Sequence, residues 1–250
     1  MKTYYLFLLL LIIGISCSTK NEKELSAQQI IDKAIEAAGG TLFEKAEIDF
    51  DFRGRHYRSI RNGGNYQHER IFNDSLDVIR DVLNNEGFER YINDSISTLT
   101  PDSMKVKYAN SVNSVLYFAL LPYGLNDPAV IKKHLGESSI NNKKYFKIQI
   151  SFHQEGGGKD YEDVFVYWIE QQYFTVDYFA YSYVTDGGGA RFRSAYNTRI
   201  VNGIRFSDYI NYKPMSKHYS VDILDEAFQK NDLKELSRIE AENIKVNINP

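Results

Sequence analysis

"VFVYWIEQQYFTVDYFAYSYV", residues Val164 to Val184, reads as a β-hairpin with apolar side chains on both faces. A sheet bordering a single core needs only one apolar face. The stretch therefore calls for a second layer, or for a hollow that something apolar fills. With Glu170, Gln171 and Gln172 as the turn, Trp168 stands opposite Phe174, Val166 opposite Val176 and Val164 opposite Tyr178. That register gives one continuous apolar face, whereas a slip of one residue brings Asp177 into it. The other face carries Phe165, Tyr167, Ile169, Tyr173, Phe179, Tyr181 and Tyr183 with Thr175 and Asp177, and is tyrosine-rich and amphipathic.

The same alternation extends in both directions. "YFKIQISFHQ" precedes the hairpin, and "ARFRSAYNTRI" and "GIRFSDYINYK" follow it. Further upstream a strand through Ile48, Phe50 and Phe52 turns at Asn62–Gly64, and "YQHERIF", "LDVIRDVL" and "FERYIN" continue the meander. Short turns join the strands and no helical crossover separates them, which excludes βαβ folds and (β/α)₈ barrels. With 19 Tyr and 15 Phe, 43% hydrophobic and 25% charged residues, the chain has a globular, strand-favouring composition. Its 30 Lys and Arg against 33 Asp and Glu leave a net charge of −3, which supplies no field for nucleic acid.

Helices interrupt this pattern. Ser26 and Gln29 form a capping box ahead of Ile30, Ile31, Ala34, Ile35 and Ala38, and Gly39 ends that helix. A second helix is expected from Thr100 as N-cap to Leu121, and a shorter one from Asp127 to Gly136. The run Val115 to Leu121 has no polar face, so that end of the helix must be enclosed on most sides. The expectation is a mainly β (α+β) fold: a curved antiparallel half-barrel of about nine to eleven strands with a helical lid. The aliphatic hairpin face would line the hollow, making Val115, Leu116, Phe118, Val164, Val166, Trp168, Phe174 and Val176 the candidate hydrophobic ligand-binding residues. The alternative is that the helices fill the hollow completely, since protein interiors pack tightly.

The N-terminus fixes an address. "MKTYYLFLLLLIIGISC" places Lys2 before an apolar run of about twelve residues, too short for a bilayer span of about 20, as in a secretory signal peptide. Cys17, the only cysteine, follows "GIS" where bacterial lipoproteins are cleaved and lipidated, so the sequence resembles their lipobox with Gly14 in place of the usual Leu. Residues 1–16 then form the signal peptide, 17–25 a lipidated tether and 26–250 a single domain. Ser18 beside the lipidated residue carries no acidic retention signal, which points to the outer membrane.

Other groups are sparser. Two triple-glycine tips, Gly156 to Gly158 and Gly187 to Gly189, join alternate hairpins and so share one rim, either as plain turns or as a mobile lip. Arg191, Arg193 and Arg199 fall on one strand face, to pair with Asp177 and other cross-strand charges or with an anionic headgroup. His56, His68, His134, His153 and His218 lack metal-ligand spacing, and no nucleophile motif occurs, so neither a metal, a cofactor nor a catalytic residue is expected. The nearest approach to a catalytic cluster is His153 with Glu155, Asp160, Glu162 and Asp163.

"NSVNSVLYFALLPYGLNDPAV", "EGGGKDYEDVFVYWI", "GGGARFRSAYN" and "NGIRF" resemble a Bacteroidota lipoprotein family grouped as a domain of unknown function, over about Ser26 to Lys213. The resemblance implies a fold similar to the outer-membrane lipoprotein carriers, half-barrels with a helical lid that hold acyl chains, and brings no activity. Three functions stay open: a membrane-anchored binder of a lipid or other apolar molecule, a hydrolase or lyase at the rim near His153, and a scaffold that binds a partner through the Tyr-rich face.

Overall fold

The computed structural model describes residues 24–156, 161–184, 187–216 and 218–249. Residues 1–23, which include the expected signal peptide and Cys17, lie outside them, as do Gly157 and Gly158. Helix α1 (Ala27–Ala38) starts with the expected reciprocal cap: the Gln29 N–H donates to Ser26 Oγ at 3.2 Å and the Ser26 N–H to Gln29 Oε1 at 2.9 Å. A 3₁₀ turn, Gly40–Lys45, leads into the first meander: β1 (Ala46–Phe52), β2 (Arg55–Asn62), β3 (Asn65–Asp74), β4 (Asp77–Asn84), β5 (Gly87–Ile92) and the short β6 (Ser95–Ile96). Helix α2 (Asp102–Ala119) separates it from the second meander, β7 (Val130–Ile140), β8 (Lys143–Phe152), β9 (Val164–Glu170), β10 (Val176–Tyr183), β11 (Gly189–Val201) and β12 (Ile204–Pro214). Helix α3 (Leu224–Gln229), β13 (Leu233–Ile239) and β14 (Glu242–Ile248) complete the described chain.

The strands form two open antiparallel sheets of seven, ordered β14-β1-β2-β3-β4-β5-β6 and β13-β12-β11-β10-β9-β8-β7. The last two strands divide between them: β13 extends the second sheet along β12, and β14 extends the first along β1. The chain thus passes from one sheet to the other at Glu240 and Ala241. Buried Asp208 of β12 holds this crossing by accepting the Ala241 N–H at 3.1 Å, while Arg199 donates to both Asp208 and the Ala241 carbonyl.

The fourteen strands among the described residues exceed the nine to eleven read from the sequence, for particular reasons. Arg53 and Gly54, both at positive φ, make a two-residue turn that splits one expected strand into β1 and β2. "LKELSRI", whose apolar residues Leu233, Leu236 and Ile239 are spaced by three, and "ENIKVNI", which alternates at period two, both lie beyond Lys213 and add two more strands. The helix expected from Asp127 to Gly136 is mostly strand. The 3₁₀ turn Tyr123–Asn126 ends just before it, and Val130–Ile140 pairs with β8 across the Asn141–Asn142 turn. Gly136, taken as a helix stop, sits at φ 101 where the register shifts between His134 and Glu137, so its signal was that of a bulge.

The opening hairpin takes a different register from the one expected. Glu170 carries its carboxylate to the N–H groups of Gln172 (2.9 Å) and Tyr173 (2.6 Å), which widens the turn to Thr175 with Phe174 at φ 55. A bulge follows, so Val166 lies opposite Ala180 and Trp168 opposite Tyr178, while Val176 lies opposite Ile169. Phe174 and Val176 therefore do not continue the Val166 and Trp168 face. Both faces of the hairpin are covered. Phe165, Tyr167, Ile169 and Phe179 pack against Ile30, Ile31 and Ala34 of α1 and against Leu121 and Leu125 after α2. Val166, Trp168 and Ala180 pack with Phe192 beneath Leu224 and Ala227 of α3. The aromatic face, and not the aliphatic one, lies toward α1 and the end of α2, because the unforeseen α3 closes the other side.

A third apolar cluster joins the two sheets: Ile48 and Phe50 of β1, Val246 of β14, Ile204 and Phe206 of β12, and Val112, Leu116 and Leu120 from α2 and its cap. Helix α2 packs on β3, β4 and β5. Its polar side is fastened there by Arg70, which donates to Asp81 (3.0 and 2.5 Å) and to Ser111 of α2 (2.6 Å), while Arg90 donates to the same fully buried carboxylate.

Candidate functional site

Period-two alternation brings Ile48, Phe50 and Phe52 to one face of β1, and β12 brings Phe206 to the facing side of the inter-sheet core. Beneath the last turn of α2 the packing between them is incomplete. A cavity of about 170 Å³ remains, lined by Phe50 and Phe52, by Val115, Phe118 and Ala119 of α2, by Phe206, Ser207 and Tyr209 of β12, and by Ile239 and Ala241 at the crossing. Two cations, Arg53 and Arg193, complete the lining, which includes no carboxylate.

The structure divides the candidate residues read from the sequence. Val115 and Phe118 line the cleft, and Leu116 is buried in the core beside it. Val166 and Trp168 are buried on the far face of the second sheet under α3, and Val164 borders a separate groove there. Val176 is buried with the α1 cluster; Phe174 stacks on Phe146 and lies 5.0 Å from Lys33 Nζ. Gly187, Gly188 and Gly189 line the same groove as Val164, about 830 Å³ and beside Tyr219 and Val221, so that loop opens away from the cleft. Gly156 lies close to Ala129, and its two neighbouring glycines fall outside the described residues.

The arginines of β11 separate as well. A bulge between Tyr196 and Arg199, with Asn197 at φ 46, breaks the face they were expected to share. Arg199 pairs with Asp208 at 3.1 Å, and Arg191 lies over Tyr183. Asp177 takes Arg205, not one of these three, at 3.6 Å. Arg193 alone turns into the cleft, where it is 8% exposed. It lies over the Phe118 ring at 4.2 Å and donates from Nη2 to Tyr181 Oη at 3.2 Å, and its Nε has no partner among the described residues. Burial pulls the guanidinium below its ordinary range, opposed by the hydroxyls of Tyr181 and Tyr209; at an intrinsic value so high it remains a cation.

The sequence reading missed Phe50, Phe52, Phe206, Tyr209, Ile239 and Ala241 as lining residues. Their alternation was legible, but the pairing of β14 with β1 and β13 with β12 that brings them together is long-range. At the rim, the His153 N–H donates to the Ala129 carbonyl at 2.8 Å, and among the described residues no three His, Cys, Asp or Glu side chains gather into a metal site. The Tyr-rich face expected to meet a partner is covered over much of its length, with Phe165, Tyr167, Ile169 and Phe179 buried, while Tyr173 at the turn is exposed. Among the described residues no helix is long and apolar enough to cross a membrane.

A family model matches residues 2–241. The chain belongs to DUF6503, a family of unknown function. No curated protein matches the sequence. Among solved structures, a DUF1329 family protein from Desulfovibrio piger is similar at a TM-score of 0.51 and 9% identity, covering 91% of this chain and 95% of that one. That likeness supports a shared architecture for this DUF6503 chain and, at such identity, nothing beyond it. A LolA superfamily protein from Nitrosomonas europaea aligns at 0.45 with 12% identity over 91% and 96% of the two chains. A putative outer membrane lipoprotein-sorting protein domain from Vibrio parahaemolyticus aligns at 0.44 with 8% identity over 88% and 93%.

Proposed function

We propose that this protein is a lipid-anchored envelope lipoprotein that shelters a small hydrophobic ligand in the cleft between its two sheets. The observation that carries the reading is the lidded cavity itself. It is lined by Phe50, Phe52, Val115, Phe118 and Phe206, at a place where close packing is the rule for a protein interior. Size narrows the ligand. An apolar cavity of about 150 Å³ holds a benzene ring, so 170 Å³ fits a ring or a short chain and not a set of long acyl chains.

The address comes from Cys17, whose lipidation would place the domain at the membrane, in the outer membrane by the reading of Ser18. Two observations test the proposal together. The wild type should fractionate with membranes and Cys17→Ser should not, and native mass spectrometry of the gently extracted protein should show an added small molecule. A soluble wild type would remove the anchor; a protein that never carries or takes up an apolar molecule would remove the binding function.

A further inference from the structure

We infer that the cleft selects an anionic amphiphile, a short-chain carboxylate whose head is held by Arg193 and whose tail lies along the phenylalanines beneath α2. The inference rests on the binding function proposed above and goes further by assigning the ligand's charge. A buried guanidinium is stable only when its charge and its donors are matched, and Arg70, the other buried arginine among the described residues, follows that rule by donating to Asp81 and Ser111. Arg193 departs from it: nine-tenths buried, it touches aromatic rings and one tyrosine hydroxyl, with Nε unpartnered among the described residues. The lining of the cavity that it faces includes Ser207 and Tyr209 as polar groups, a second cation in Arg53, and no carboxylate.

This lining combines apolar rings with a cation, as an amphiphile's tail and anionic head require. A carboxylate accepts two parallel N–H bonds from a guanidinium, and the Tyr209 hydroxyl, which burial holds above its ordinary pKa, stays protonated as a further donor. A neutral ligand would meet the apolar rings and leave the charge of the arginine unmatched.

Calorimetric titration of the purified domain with octanoate and with 1-octanol, which share a chain length and differ in the head, tests this. Wild type should bind octanoate about tenfold tighter than the alcohol, the scale of one charge-assisted contact. Arg193→Met, which keeps the side-chain length and its contact with Phe118, should lose that preference while still binding 1-octanol. Equal affinity of wild type for both compounds overturns the inference and leaves the hydrophobic cleft standing. Binding of neither overturns both. If Arg193→Met melts earlier but keeps the preference for octanoate, Arg193 is a strut under the helix, and the inference fails on that result too.

Discussion

His68 shows how one buried side chain sets a pH response. It is 4% exposed on β3, tilted against the Tyr66 ring, and burial with some help from Arg61 pulls its pKa down to about 3. In the unfolded chain an imidazole titrates near 6.5. Between those values the unfolded state holds the extra proton, so the contribution of His68 is complete above about pH 6.5 and is lost as the pH falls toward 3. Urea denaturation at pH 7 and pH 5 should therefore show a loss for wild type that His68→Gln reduces by about 2 kcal/mol. An identical loss in both proteins would mean that His68 takes up its proton without unfolding. His56 works in the opposite sense. Burial lowers its pKa, but hydrogen bonds to Asp51 and Asp49 outweigh that and leave it raised, so its contribution fades as the pH rises. At this scale the sequence was informative where the cause is local. Ser26 and Gln29 declared their cap, whereas nothing near Arg193 in the sequence distinguished it from Arg199, because a bulge two residues long decides which of them finds a carboxylate.

Among the elements, the crossing from β13 to β14 matters most to the cleft, since Ile239 and Ala241 form part of its wall. Asp208 secures it with bonds from the Ala241 N–H, Asn197 and Arg199, and is 2% exposed. Removing the buried Asp208 carboxylate leaves the Ala241 N–H and Asn197 without their acceptor and the partly exposed Arg199 without its partner, at a cost of about 3 kcal/mol. Asp208→Ala should lose about that much in chemical denaturation, and the Ala241 amide should lose protection against hydrogen exchange. Unchanged protection there would show that strand pairing alone holds the crossing. The hairpin from Val164 to Val184 illustrates why element boundaries were only partly legible. Alternation correctly identified two apolar faces, but the register depended on the Glu170 carboxylate folding back onto its own turn, and the choice of inner face depended on α3, six residues with three apolar side chains, Leu224, Ala227 and Phe228.

For the whole molecule, antiparallel strands with few helices followed from the short turns and the missing crossovers, and that much was readable. The division into two sheets was not. It is set by β14 returning to β1 across nearly the full length of the chain, a pairing that no local pattern announces. The same closure brings β1 and β12 together beneath α2 and leaves the 170 Å³ cleft on which the functional account depends. Filling that space is the direct test. Ala119→Phe places a ring where the cavity now lies, with the α2 backbone and the sheet walls otherwise retained. Titration of wild type and Ala119→Phe with 1-octanol, at matched melting temperature, should give saturable one-to-one binding in the first and none in the second. Equal binding by both would place the ligand elsewhere and contradict the account.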